Sequence, residues 1–310
     1  MIASRRRVLC LIVAGALVTA CGSDDDETGG ELTPSTEAGT ATSAPLAVAE
    51  RGSAATVVDD AEPSTTPAPA TTPPTVPPTT PAPPPPTVVP PVPRVLLVGD
   101  STLLAVQEYD TLGVLLGMDP VYEAESCRAL AQPSCSDDPP ANSVTVIDGA
   151  EGAFDVVVIM AGYDEWYTTF ADSFDRVVAS SRAKGAKRIV WLTYPENVDY
   201  RLPDDQPANE SLVNMNQIMR DLVAGGAYPD VVIADWFHYS SGTQGWYSED
   251  DIHLSQTGAH AVADYIARKV AFIAGAPCPM PREPGQPVET PCPDPDVAGP
   301  VADVVALYAA

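Results

Sequence analysis

The sequence predicts an α/β fold: a three-layer sandwich with a mostly parallel five-stranded sheet flanked by helices. Two observations carry this. From Arg94 onward, short apolar runs alternate with amphipathic helical stretches, and the third run, Val156-Val157-Val158-Ile159, is continuously apolar, as in a strand covered on both faces. Strands are expected at 94–98, 121–124, 155–160, 188–193 and 231–235. Helices are expected at 102–116, 169–184, 208–224 and 255–274. Right-handed crossovers between parallel strands gather the loops after the strands at one sheet edge, where the active sites of such sheets lie.

The segments before this domain read differently. Residues 1–20 carry Arg5, Arg6 and Arg7, an apolar run from Val8 to Val18 and a small-residue end, the parts of a secretory signal. The run is short for a membrane-spanning helix. Val18-Thr19-Ala20-Cys21 resembles a bacterial lipoprotein box, which implies lipidation of Cys21 and an exported domain tethered to the cell membrane. Of the chain's 34 prolines, 17 lie between Gly22 and Pro93, with ten acidic residues and one basic residue. Such a segment lacks the apolar content for a core, so residues 21–93 read as an extended linker.

The net charge is −26, and residues 94–275 alone hold 27 acidic and 11 basic residues. This argues against nucleic acid as a partner, because phosphate binding needs a basic surface. Beyond Gly275 a Pro-rich tail (276–310) ends in the apolar stretch VADVVALYAA. Apart from Cys10 and Cys21, four cysteines remain. An even count in an exported chain suggests two bridges, Cys127 with Cys135 and Cys278 with Cys292 being the local pairings. Neither pair has the spacing or neighbouring histidines of a metal site, so no metal is expected.

The first strand stops at Gly99-Asp100-Ser101, just before Leu103 and Leu104 begin a helix. A serine on such a turn is a candidate nucleophile beside a positive helix start. Asp100 or Ser101 also serves well as a plain helix cap, so the turn alone does not separate the two roles. A nucleophilic serine needs a base and a carboxylate to orient it. The histidines are His238, His253 and His260. His253 follows Asp250-Asp251-Ile252 on the loop after the last strand, at the edge where Ser101 emerges, and either aspartate suits the orienting role. His260 falls within the last helix and His238 just after the fifth strand. Tyr163, Trp166, Tyr167, Trp246 and Tyr247 fall on loops at the same edge, where they suit either a ligand wall or ordinary packing.

Three blocks together resemble the SGNH hydrolases, or GDSL-type esterases and lipases: Gly99-Asp100-Ser101, Gly162-Tyr163-Asp164, and Asp250-Asp251-Ile252-His253. They bracket most of residues 94–275. The resemblance implies a flavodoxin-like sheet order, Ser101 as nucleophile, His253 as base and Asp250, three residues before it, as orienter, with no cofactor. It implies an esterase acting on acyl esters, and export points to acyl groups on envelope glycans. Acyl transfer to a glycan, or glycan binding without catalysis, are the alternatives. The family stabilises the oxyanion with the nucleophile's N–H, a second-block glycine and an asparagine in G-x-N-D. Here Gly162 is kept, but Asp164 stands at the asparagine position, and the second-block region, Glu125-Ser126-Cys127-Arg128, has no glycine. An ionised carboxylate opposes the developing charge. Asp164 is therefore expected to be protonated, turned away or met by a cation, and Arg128 either pairs with Asp164 and lends a donor to the oxyanion or substrate, or is a surface residue answering local acids.

Overall fold

The structure, a computed structural model, describes residues 91–133, 138–198 and 208–309. The signal, Cys21, most of the linker, Cys135 and the acidic loop holding Asp199, Asp204 and Asp205 lie outside the described residues. Five strands form the sheet: β1 (Arg94–Gly99), β2 (Asp119–Ala124), β3 (Val156–Met160), β4 (Arg188–Leu192) and β5 (Val231–Ala234). Their order is β2-β1-β3-β4-β5, and every pairing is parallel. The central strands β1, β3 and β4 are almost wholly buried, which accounts for their unbroken apolar runs. Edge strand β2 is largely exposed and begins earlier than its apolar residues suggest, because Asp119 and Pro120 pair with Arg94 and Val95.

Helices α1 (Ser101–Glu108), α2 (Ser143–Gly149), α3 (Tyr167–Ala183) and α4 (Ala208–Ala224) fill the crossovers, and α5 (Trp236–Ser240) and α6 (Gln256–Ala274) follow the last strand. The first helix is shorter than its composition predicts. Asp110 adopts a positive φ of 55°, the Thr111 amide and hydroxyl both bond the Val106 carbonyl, and a 3-10 turn at Leu112–Val114 follows. Gly99 lets α1 turn back closely on β1, since a Cβ there would stand 2.2 Å from that of Leu103. Helix α6 is buried nearly all round, Lys269 and Arg268 included.

The cause of that burial is the tail. The compositional boundary at Gly275 is not a boundary of the core: α7 (Pro295–Ala298) and α8 (Val304–Ala309) pack on α6, and Val301, Val304 and Leu307 join the main apolar cluster. Buried charges accompany them. Lys269 Nζ donates to Asp294 at 2.7 Å and to Asp296 at 2.6 Å, and Tyr308 donates to Asp264, which also accepts from Arg268. Cys278 and Cys292 form the expected disulfide. Cys127 is also disulfide-bonded, while its expected partner Cys135 lies outside the described residues.

Candidate active site

Ser101 is the first residue of α1, and its helix is capped by Asp100, whose Oδ1 accepts from the Thr102 amide (3.0 Å) and hydroxyl (2.8 Å). The two readings of the turn therefore fall on adjacent residues. The cap is also a crosslink. Asp100 Oδ2 accepts from the Tyr163 amide at 3.1 Å, and the Asp100 amide donates to the Met160 carbonyl at 3.2 Å, so the turns after β1 and β3 are tied together. Burial pushes the Asp100 carboxyl up to about 6 against the bonds from Thr102 and Tyr163, and the negative charge of Asp164 adds to the rise.

His253 comes from the loop before α6. Tyr247 and Leu254 bridge that loop, the Ser248 amide donates to the His253 carbonyl, and the Ser255 amide donates to the Trp246 carbonyl. At its tip Asp250 Oδ1 accepts from the Ile252 and His253 amides at 3.1 and 3.0 Å. Its Oδ2 meets His253 Nδ1 at 2.5 Å, and His253 Nε2 stands 3.0 Å from Ser101 Oγ. Asp250, not Asp251, therefore holds the ring. Burial works to raise the Asp250 carboxyl, but the bonds from the His253 ring and the two amides outweigh it and leave it below the usual range. The His253 side chain is 48% exposed, so the pair is open to substrate.

Gly162, buried at the end of the β3 turn, has φ of +97°, and a Cβ there would meet Leu130 at 2.7 Å. Asp164 follows, half-buried. Burial raises its carboxyl and the nearby His253 charge lowers it. Arg128 does not pair with Asp164. Its Nε donates to the Gly99 carbonyl (3.1 Å), Nη1 to the Ala141 carbonyl (2.8 Å) and Nη2 to Glu125 (3.3 Å), with 3% of the residue exposed. A long cation beside a sheet end bonds carbonyls with lone pairs to spare, and here those belong to the strand end, which also accepts the Glu125 amide, and to the segment before α2. Arg128 braces the backbone just before the serine rather than facing it. Cys127 beside it has φ of 61°, the left-handed conformation that a glycine takes freely and a bridged cysteine holds here.

Other residues sort plainly. Tyr163 packs edge-on to Tyr194 and Trp246 stacks on Trp236, both buried, so they belong to the core; Trp166 is exposed. His260 bonds the Gln256 carbonyl in its own helix, and His238 is exposed. Glu165 escapes sequence reasoning: its buried carboxylate accepts from the Leu130 amide (3.1 Å) and Ser173 hydroxyl (2.6 Å), fixing the β3 turn to the segment after β2. The signal available was an acid directly ahead of an apolar helix. Among the described residues no group of three or more His, Cys, Asp or Glu is gathered for a metal ion.

The chain is thus an α/β protein with serine, histidine and aspartate in bonded sequence at the carboxyl edge of a parallel sheet. Solved structures similar to it include a candidate SGNH hydrolase from Slackia heliotrinireducens (24% identity, TM-score 0.43, covering 57% of this chain and 98% of that one). They also include a carbohydrate acetylesterase from Sinorhizobium meliloti (17%, 0.46, covering 58% and 99%) and an aryl esterase from M. smegmatis (19%, 0.44, covering 57% and 97%). No protein-family model matches the chain, and no curated protein matches it.

Proposed function

We propose that the protein is a serine esterase of the SGNH type that hydrolyses short acyl esters, with acyl groups on envelope glycans as its substrates. The observation that supports this best is the bonded sequence Asp250–His253–Ser101, drawn from two loops 152 residues apart. Ser101 Oγ attacks the ester carbonyl while its proton passes to His253 Nε2. The bond to the alcohol then breaks, and the imidazolium protonates the departing oxygen. Water attacks the acyl-serine, gives a proton to His253, and the acid leaves as Ser101 regains its hydrogen. Asp250 keeps the ring in the tautomer that receives the proton and stabilises its charged form. The Ser101 N–H, which lacks a partner within its helix, is the oxyanion donor, helped by the positive end of α1.

The protein works outside the cell, tethered through Cys21 and lifted by its linker. No helix among the described residues is long and apolar enough to cross a membrane. Hydrolysis of a short activated ester by the full-length chain tests the reading, with Ser101→Ala and His253→Ala as controls. Turnover lost by at least about a thousandfold in both is the expected result. Turnover independent of Ser101 in a folded chain would leave ligand binding without catalysis as the better account.

A further inference from the structure

Taking Ser101 as the nucleophile, we infer that Asp164 selects esters whose acyl group carries a positive charge, the simplest class being α-ammonium (aminoacyl) esters. Asp164 follows Tyr163, whose amide is held by the cap of the serine's own helix, so the residue lies on the turn that is tied to Ser101. Burial raises its carboxyl, the charged form of His253 would lower it, and Asp100 feels it as a negative neighbour. Arg128, the cation that the sequence offers as a partner, is committed to the Gly99 and Ala141 carbonyls and to Glu125. Among the described residues no hydrogen bond or ion pair holds the Asp164 carboxylate, although it is half-buried.

A half-buried carboxylate without a partner is unfavourable, and beside a forming oxyanion it is more so. A neutral acyl ester meets that repulsion in full. An α-ammonium is carried on the carbon next to the carbonyl, so one positive group reaches both charges. It pairs with Asp164 when the ester binds, and its attraction to the carbonyl oxygen grows as that oxygen becomes negative, which is the differential binding that raises the rate. The covalent steps are unchanged. The Ser101 oxygen–carbon bond forms, the alcohol leaves with the proton carried by His253, and the ammonium neither gains nor loses hydrogen. The domain's excess of acidic residues, 27 against 11 basic in residues 94–275, favours the approach of such a substrate.

The test compares alanyl and propionyl esters of one alcohol on the full-length chain, at a pH about one unit below the α-amino pKa of about 8. Spontaneous hydrolysis is subtracted, and the ratio of kcat/KM values is read in the wild type and in Asp164→Asn. The expected result is a crossover: in Asp164→Asn the propionyl ester reacts faster and the alanyl ester slower, lowering the ratio about tenfold or more. A ratio unchanged within about twofold overturns the assignment. Binding separates this outcome from failure of the esterase reading. In Ser101→Ala, calorimetry should find alaninamide bound about tenfold more tightly than propionamide, with the difference lost on adding Asp164→Asn. Equal binding of the two amides overturns the assignment whether or not any ester turns over.

Discussion

Asp100 Oδ2 accepts the Tyr163 amide at 3.1 Å, across 63 residues, while the other oxygen of the same carboxylate caps the helix that Ser101 begins. One side chain thus sets the backbone at Ser101 and ties it to the turn that holds Gly162 and Asp164. Because burial raises this carboxyl to about 6, the folded chain keeps a proton between about pH 4 and pH 6 that the unfolded chain has lost. The stability from that proton is fully present below about pH 4 and is lost as pH rises through about 6, a difference on the order of 2–3 kcal/mol. Asp100→Asn removes the titration. Urea unfolding at about pH 4 and about pH 6.5 should show the wild type losing more stability on that rise than the variant, and equal losses would contradict the assignment.

Asp250→Asn retains an oxygen for the Ile252 and His253 amides but offers the ring an amide in place of a charge. The expected fall in kcat is on the order of 10³–10⁴, with KM and the melting temperature little changed. Steady-state kinetics with thermal melting decide it. Asp251→Asn should leave kcat within about threefold, since the backbone geometry assigns the ring to its neighbour.

Arg128→Ala removes three bonds, leaving the Gly99 carbonyl with the Glu125 amide alone and taking the guanidinium donor from the Ala141 carbonyl. A loss of about 2–4 kcal/mol in denaturant unfolding is expected, with reduced kcat because the strand end carrying Ser101 loosens. Arg128→Lys should recover less than half, because a single ammonium cannot span the sites that the guanidinium fork reaches. Full recovery by lysine would show that charge, not the fork, is what matters.

Ending the chain at Gly275 deletes Asp294 and Asp296 and strands Lys269 in an apolar setting. It also uncovers the face of α6 that Val301, Val304 and Leu307 occupy. Breaking a buried pair this way costs about 3–5 kcal/mol before the lost apolar contacts are counted. The truncated chain should therefore melt far lower or fail to fold, as circular dichroism would register. Replacing Cys278 and Cys292 by serine keeps those contacts and opens a loop of sequence separation 14, so a smaller loss of about 3 kcal/mol is expected.

The strands and long helices were legible because their signals are local: continuous valines for a doubly covered strand, helical periodicity for α3, α4 and α6. Short helices were not. The seven residues of α2 and five of α5 carry too few turns for a pattern, and α2 is defined by Asn142 capping it and by the Ser143 and Val144 amides reaching the Ala129 and Leu130 carbonyls. Ser101, Asp250 and His253 stood out because each follows a strand at the same edge. The partner of Arg128 was not legible, since backbone carbonyls look alike in a sequence and a nearby carboxylate is the conspicuous alternative. The tail stayed open between packing on the domain and fraying for a similar reason. Its prolines suggest a loose end, while its anchoring depends on acids meeting a lysine two dozen residues earlier.

All five strands run the same way, and this fixes an orientation. The chain enters β1 at Arg94, where Pro91 and Pro93 share a cleft with Ile273 and Ala274 at the far end of α6. Five residues later, about 17 Å on, it reaches Gly99, two residues before the serine. A pull transmitted along the chain from the N-terminal side therefore loads the floor of the sheet and not the rim where Ser101 lies. The mouth of the site opens away from the end at which the chain enters the sheet.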